Sequence, residues 1–271
     1  MNAASKPDLS NLPTTGKSDR IYAVGDVHGR FDLLTTLLDD IRHHSRSFSD
    51  GKERKIVILG DLIDRGPQSR EVIEYLYQAQ RRRKVTVLLG NHEEIMLRAI
   101  DGEPGTMKAW LRFGGEATLR SFDVNPPRRG QEFDPIELAR KLRQAIPEKW
   151  LEWLRTRPIS ARSGDYLFCH AGIRPGLPLD RQKRSDMLWI RDEFLMSDEA
   201  HGFVVVHGHS ISPDVELRHN RIGVDTGAYR TGMLTAVYLE DRSCGIMSTG
   251  TPPQMSLDGV DLDRFALIEA R

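Results

Sequence analysis

Six side chains with metal-binding chemistry stand at five places where a short apolar run stops. Ile21-Tyr22-Ala23-Val24 leads into Gly25-Asp26-Val27-His28, Ile56-Val57-Ile58-Leu59 into Gly60-Asp61, and Val85 to Leu89 into Gly90-Asn91-His92-Glu93. Tyr166-Leu167-Phe168-Cys169 leads into His170, and Phe203-Val204-Val205-Val206 into His207-Gly208-His209. Asp26, His28, Asp61, Asn91, His170 and His209 offer oxygen and nitrogen without cysteine, a set that suits Mn²⁺, Fe or Zn²⁺ better than a structural zinc. Side chains two apart in an extended segment point the same way, so Asp26 and His28 are expected to share one cation. Six donors are too many for one open catalytic cation. They fit two divalent ions about 3.5–4 Å apart with Asp61 as the bridge, an arrangement that activates water for in-line attack at phosphorus. That reaction also needs a proton for the leaving alkoxide and fixed positive charge for the phosphoryl oxygens. His92 is the candidate acid, Asp64 the carboxylate that orients it, and Arg65 the candidate phosphate fork.

The runs that position these residues are continuous and rich in β-branched residues, as in strands covered on both faces. Leu33, Leu34, Leu37, Leu38 and Ile41 recur at helical spacing between the first two runs, and Val72, Ile73, Leu76 and Tyr77 between the next two. Asp26, Asp61 and Asn91 lie 35 and 30 residues apart, the spacing of strand–helix–strand units. Ligands of open α/β sheets bind beyond the carboxyl ends of strands, so the five clusters are expected to meet in one crevice. Residues 102–158 lack strand patterns and read as a helical insertion, with helices near Met107–Ser121, Pro135–Ala145 and Pro147–Arg157. After His209 the expected strands are Val215–Leu217, Ile222–Val224 and Leu234–Leu239. Residues 1–20, rich in Ser, Thr, Pro and Asn, read as a flexible tail before a single domain over 21–271.

The 271 residues carry 39 basic and 39 acidic side chains, so no net field favours nucleic acid or an anionic membrane. No window approaches the roughly 18 apolar residues of a membrane span. Two cysteines, Cys169 and Cys244, are too few for a disulfide framework and suit a reducing, cytoplasmic compartment. The basic run Arg81-Arg82-Arg83-Lys84 sits where a helix C-terminus would welcome positive charge.

The segments GDVHGR (25–30), GDLIDRGPQS (60–69), GNHE (90–93), HAG (170–172) and GHS (208–210) resemble, in order, the metallophosphoesterase superfamily and its bacterial and phage phosphoprotein phosphatase branch. The resemblance implies a calcineurin-like β-sandwich of two mixed sheets flanked by helices. It implies a first metal, such as Mn²⁺, on Asp26, His28 and Asp61, and a second on Asp61, Asn91, His170 and His209. His92 is then the general acid partnered by Asp64. Arg65, Asn91 and Arg191, the last in Trp189-Ile190-Arg191, face the phosphate. Gly223-Val224-Asp225-Thr226-Gly227 resembles a supporting late strand and turn, and His207 supports the site from behind.

The implied activity is a serine/threonine-type protein phosphatase acting on phosphomonoesters of proteins or small molecules. The symmetrical dinucleoside tetraphosphatases resemble the chain too, but they typically depart at the Asp64-Arg65 pair, which is intact here. A nucleotide or dinucleotide phosphohydrolase is the second reading. A non-catalytic binding protein on the same scaffold predicts broken ligand positions, and none is broken.

Overall fold

A computed structural model describes residues 12–82, 85–128 and 130–250. The first half alternates strand and helix: β1 (Asp19–Val24), α1 (Phe31–Arg46), β2 (Glu53–Ile58), α2 (Ser69–Arg81), β3 (Thr86–Val87) and α3 (Asn91–Ile100). The insertion follows as α4 (Thr106–Trp110), α5 (Glu116–Ser121), α6 (Pro135–Ala145) and α7 (Glu148–Arg155). The second half is β4 (Ser160–Ser163), β5 (Tyr166–Cys169), α8 (Arg184–Trp189), α9 (Asp192–Leu195), β6 (Val204–His207), β7 (Glu216–Leu217), β8 (Arg221–Gly223), α10 (Ala228–Thr231), β9 (Thr235–Glu240) and β10 (Ser243–Ser248).

These strands form two five-stranded sheets, in the orders β10-β9-β1-β2-β3 and β4-β5-β6-β8-β7. The first is parallel over β1-β2-β3, with antiparallel β9 and β10 beyond β1, and the second is parallel over β5-β6-β8, with antiparallel β4 and β7 at its two edges. The period-two geometry of a strand explains the unbroken apolar runs. In β1, Ile21 and Ala23 pack between the sheets with Phe168, Val206 and Val237. Tyr22 and Val24 point the other way, onto Leu34, Leu37 and Ile41 of α1 and Val72 and Leu76 of α2. Leu167, Cys169 and Val205 cover the outer face of the second sheet with Met187 and Phe194 of α8 and α9. Cys169 is thus a packed core residue.

Several expectations are corrected. The third strand is two residues long rather than five, because Leu89 turns its amide to the Pro158 carbonyl and Gly90 caps α3. The first insertion helix is broken by a wide turn over Leu111–Gly115, with Gly114 at φ 108°. Pro147 caps α7 rather than opening it. Strands β4 and β10 carry no apolar alternation and went unread, as did α8 and α9. The basic run ends α2 at Arg81 and Arg82; Arg83 and Lys84 lie outside the described residues. Residues 1–11 and 251–271 also lie outside them. The proposed tail ends early: the Thr14 amide donates to Asp165 and the Thr15 amide to the Asp241 carbonyl, tying residues 14 and 15 to both sheets.

Arg20 and Glu240 are cross-strand partners on β1 and β9. Arg20 is fully buried, with Nε 2.7 Å from Glu240 Oε2 and its guanidinium 3.8 Å above the Phe48 ring. Burial opposes the charge on Glu240, but Arg20 and Lys52 outweigh it and hold the carboxyl at about 2. Removing Glu240 leaves the buried Arg20, among the described residues, with only the half-exposed Asp50 carboxylate, 2.5 Å away, as its partner, and a buried charge that loses its main partner is costly. Glu240→Gln is therefore expected to lower unfolding stability by about 3 kcal/mol at pH 7. A carboxyl depressed in the folded state stabilises above its unfolded pKa and loses that contribution as pH falls through the folded one. The gap between the two melting curves, followed by circular dichroism, should be constant above about pH 5 and shrink toward pH 2.

Candidate metal centre

Asp26 follows β1, Asp61 follows β2, Asn91 opens α3, His170 follows β5 and His209 follows β6, so the carboxyl ends of both sheets meet at one buried place. All six expected ligands are buried. Asp61 is the hub. Its Oδ2 lies 3.6 Å from His28 Nε2 and its Oδ1 3.4 Å from His170 Nε2. Two donor triads share it: His28, Asp61 and His92 on one side, Asp61, His170 and His209 on the other.

The imidazoles present lone pairs. His28 Nδ1 donates to the Ile63 carbonyl at 2.8 Å and His170 Nδ1 to the Leu59 carbonyl at 3.0 Å, which leaves each Nε2 free to bind. Burial pushes His28 down to about 3 and His209 to about 2, and it lowers His170 as well, so these rings are neutral. Asn91 turns one amide atom toward His170 Nε2 at 2.8 Å, His209 Nδ1 at 3.1 Å and both Asp61 oxygens at 3.2 Å. An amide NH₂ has two hydrogens and cannot satisfy all four. A divalent cation on Asn91 Oδ1 can. Carboxylates point the same way: Asp26, Asp61 and Asp225 are all buried here, and incompletely paired buried charge is expensive. The donors present therefore fit the two divalent cations characteristic of this chemistry.

Asp26 does not sit as the extended-segment argument expected. His28 has φ 44°, so the two side chains do not project from a straight strand. Asp26 faces His170 Nδ1 at 4.0 Å and accepts the His209 amide at 3.0 Å. Burial and the neighbouring carboxylates of Asp225 and Asp61 raise its pKa well above the usual range.

His92 and Asp64 come together as the sequence implied. His92 Nδ1 is 2.6 Å from Asp64 Oδ2, while Nε2 faces Asp61 Oδ2 at 3.8 Å. Burial opposes the imidazolium, but Asp61 and Asp64 carry its pKa above the ordinary value. Arg65 lies over the His28 side of the site, its guanidinium nitrogens 3.1 Å from His28 Nε2 and 3.2 Å from His92 Nε2 and its guanidinium carbon 4.6 Å above the Tyr229 ring. Arg191 is exposed at the start of α9, and its charge is felt at His170 and His209. His207 is buried behind the site with Nε2 unpartnered among the described residues.

The backbone is bent to make this possible. Of eight non-glycine residues with positive φ among the described residues, five belong here: His28, Asp61, Asp64, Arg65 and His209. Such clustering is typical of functional sites. Glu93 holds the bend after β2, accepting the amides of Gly90, Asp61, Leu62 and Ile63 at 2.8–3.2 Å. Sequence reasoning passed over Glu93. Its position three residues after the Gly90 cap is the available signal, since a Glu at N3 commonly reaches back to the cap amide.

A family model described as calcineurin-like phosphoesterase matches residues 19–237. The chain belongs to that family. This calcineurin-like phosphoesterase is 30% identical over 154 residues to a symmetrical bis(5'-nucleosyl)-tetraphosphatase of Neisseria meningitidis, covering 57% of this chain and 44% of that one. The chain thus spans less than half the length of that relative. It is 30% identical over 219 residues to serine/threonine-protein phosphatase 2 of Escherichia coli, covering 79% of this chain and 90% of the relative. Among solved structures, one provisionally assigned as a diadenosine tetraphosphatase superposes with TM-score 0.57 at 21% identity, over 88% of this chain and 98% of that one. A cold-active protein tyrosine phosphatase superposes with TM-score 0.54 at 21% identity, over 90% and 87%. At that identity the likeness is one of fold. No helix among the described residues is long and apolar enough to cross a membrane.

Close backbone approach makes one glycine critical. A Cβ on Gly208 would lie 2.1 Å from Asp26 Oδ1. Gly208→Ala should push that carboxylate aside and weaken Mn²⁺ binding about 10–100-fold, measured by titration calorimetry, with the circular dichroism spectrum unchanged.

Proposed function

We propose that this phosphoesterase hydrolyses phosphomonoesters by direct in-line attack of water, with phosphoserine and phosphothreonine of proteins as substrates. The observation that carries the reading is the His92–Asp64 pair, 2.6 Å apart, opening toward Asp61 and Arg65. Two divalent cations on Asp26, His28, Asp61, Asn91, His170 and His209, when bound, supply Lewis acidity toward water and phosphoryl oxygen. The chain's own residues do the rest. Arg65 and Arg191 bind the non-bridging oxygens, where a guanidinium fork matches phosphate geometry, and the Asn91 side chain borders the same space. His92 Nε2 gives its proton to the leaving alkoxide. Asp64, on Nδ1, holds the ring in the orientation that transfer needs and stabilises its charged form. Neutral overall charge argues against nucleic acid as substrate, and two free cysteines suit the cytoplasm.

A dinucleoside tetraphosphatase is the second reading. It is favoured by the Neisseria relative and by an aromatic edge at the site: Phe113, 41% exposed, lies with its ring centroid 6.1 Å from His92 and 6.2 Å from Trp189. Such a face can stack a nucleobase. The intact Asp64-Arg65 pair and the nearly full-length match to the Escherichia coli phosphatase support the first reading.

With Mn²⁺ supplied, turnover of a phosphothreonine peptide should exceed that of diadenosine tetraphosphate, and chelation should abolish both. The reverse preference would select the second reading; full activity in chelator would exclude both.

His92→Asn should cut turnover of alkyl phosphates by roughly 10²–10⁴ while sparing nitrophenyl phosphate, whose leaving group needs no proton. Equal losses on the two substrates would remove His92 from the acid role.

A further inference from the structure

Asp64 and Arg65 are consecutive non-glycine residues in the left-handed region, at φ 72° and 68°. Each costs roughly 1–2 kcal/mol relative to right-handed backbone, so something must hold them. The insertion does. Trp110, the last residue of α4 and fully buried, donates its indole N–H to Asp64 Oδ2 at 2.8 Å, the same oxygen that meets His92. Thr118 of α5, also fully buried, donates its hydroxyl to the other oxygen, Oδ1, at 2.5 Å and accepts the Asp64 amide at 2.9 Å. Ser69 Oγ, 3.0 Å from Thr118 Oγ1, also receives the Asp64 amide. The wide turn between these helices takes Arg65 as well: the Arg65 amide donates to the Gly114 carbonyl at 3.2 Å, and Nε to the Phe113 carbonyl at 3.4 Å.

Resting on the proposed reaction, we infer that Trp110 and Thr118 are positioning residues that aim the His92 proton through Asp64, so that the helical insertion completes the catalytic apparatus. Both Asp64 oxygens accept from buried donors, Oδ1 from Thr118 and Oδ2 from Trp110 and His92. The carboxylate then has one orientation, and it stays an acceptor toward His92 Nδ1. With the indole N–H gone, Oδ2 keeps only the imidazole, and the carboxylate can rotate about its last torsion. His92 Nε2 then loses its fixed direction toward the leaving oxygen. The break of the insertion helix at Gly114 is part of the same arrangement, because a Cβ there would lie 2.8 Å from Arg65 Cγ. The wide turn brings Trp110 and Thr118 to opposite oxygens of one carboxylate, which an uninterrupted helix would not place so.

The test is Trp110→Phe, which keeps an aromatic ring and deletes the N–H, and Thr118→Val, which keeps the shape and deletes the hydroxyl. A hydrogen bond to a charged group corresponds to about 10–100-fold in rate. Each variant should lower kcat for alkyl phosphates by about that factor, leave KM within about twofold, and lose little on nitrophenyl phosphate. In an Asp64→Asn background both effects should largely vanish, since no charged acceptor remains. In the metal-free protein, the proton on His92 Nδ1 should give a downfield NMR resonance that weakens or disappears in Trp110→Phe. Wild-type kcat on alkyl phosphates in both variants would overturn the inference. So would equal losses on the two substrate types, or losses that persist undiminished beside Asp64→Asn. If Trp110→Phe does not fold, Thr118→Val decides alone. His92→Asn separates the two claims: if it leaves alkyl phosphate turnover intact, the acid role itself fails, whereas a crippled His92→Asn beside silent Trp110 and Thr118 variants rejects only the positioning role.

Discussion

The site depends on the carboxylate of Glu93. Four backbone amides, from Gly90 and the run Asp61-Leu62-Ile63, converge on it inside the protein. The bend they stabilise puts Asp61 at φ 47° at the end of β2 and turns its carboxylate toward the histidines. A buried acceptor with four donors is stable because each donor would otherwise be orphaned. From this one contact follow the shared position of Asp61, the start of α3, and the placement of Asn91 and His92 on its first turn. Close packing tightens it further: a Cβ on Gly90 would lie 2.2 Å from the Asp61 amide and side chain.

Around that hub the two halves of the chain contribute different things. The first sheet brings Asp26, His28, Asp61 and, through α3, Asn91. The second brings His170 and His209 across the sandwich. Among the described residues the insertion adds no side chain to the two donor triads, yet it braces Asp64 and Arg65. Each layer's hydrophobic packing is thereby tied to chemistry: strands covered on both faces end in polar corners, and the corners meet only because the sheets face each other.

Much of this was legible in the residues. The five strand ends stood out because β1, β2, β5 and β6 are buried on both sides and read as unbroken apolar runs, and because metal donors follow each run at once. His92 with Asp64 was legible from their motifs. What was hidden depends on contacts between distant positions. Glu93 acts on residues 30–32 earlier, and Trp110 on one 46 earlier, as hydrogen-bond donors and acceptors with no periodic signature. Strand β3 was overread because Leu89 is as apolar as a strand residue, yet after the last β2 contact, from the Leu88 amide to the Ile58 carbonyl, its amide turns to Pro158 on the way into α3. The edge strands β4 and β10 were missed because a half-exposed edge needs no apolar alternation. The extended geometry assumed for Asp26 and His28 failed because the bend at His28 is held by tertiary hydrogen bonds, its amide and that of Val27 both donating to the Asp61 carbonyl.

The central claim is that lone pairs of both sheets converge on Asp61 to hold a pair of cations. Anomalous diffraction at the manganese edge from crystals grown with Mn²⁺ tests it most directly. Two peaks should flank the Asp61 carboxylate, one toward His28 and the other toward Asn91, His170 and His209. A single peak, or peaks that leave Asp61 uncoordinated, would contradict the account.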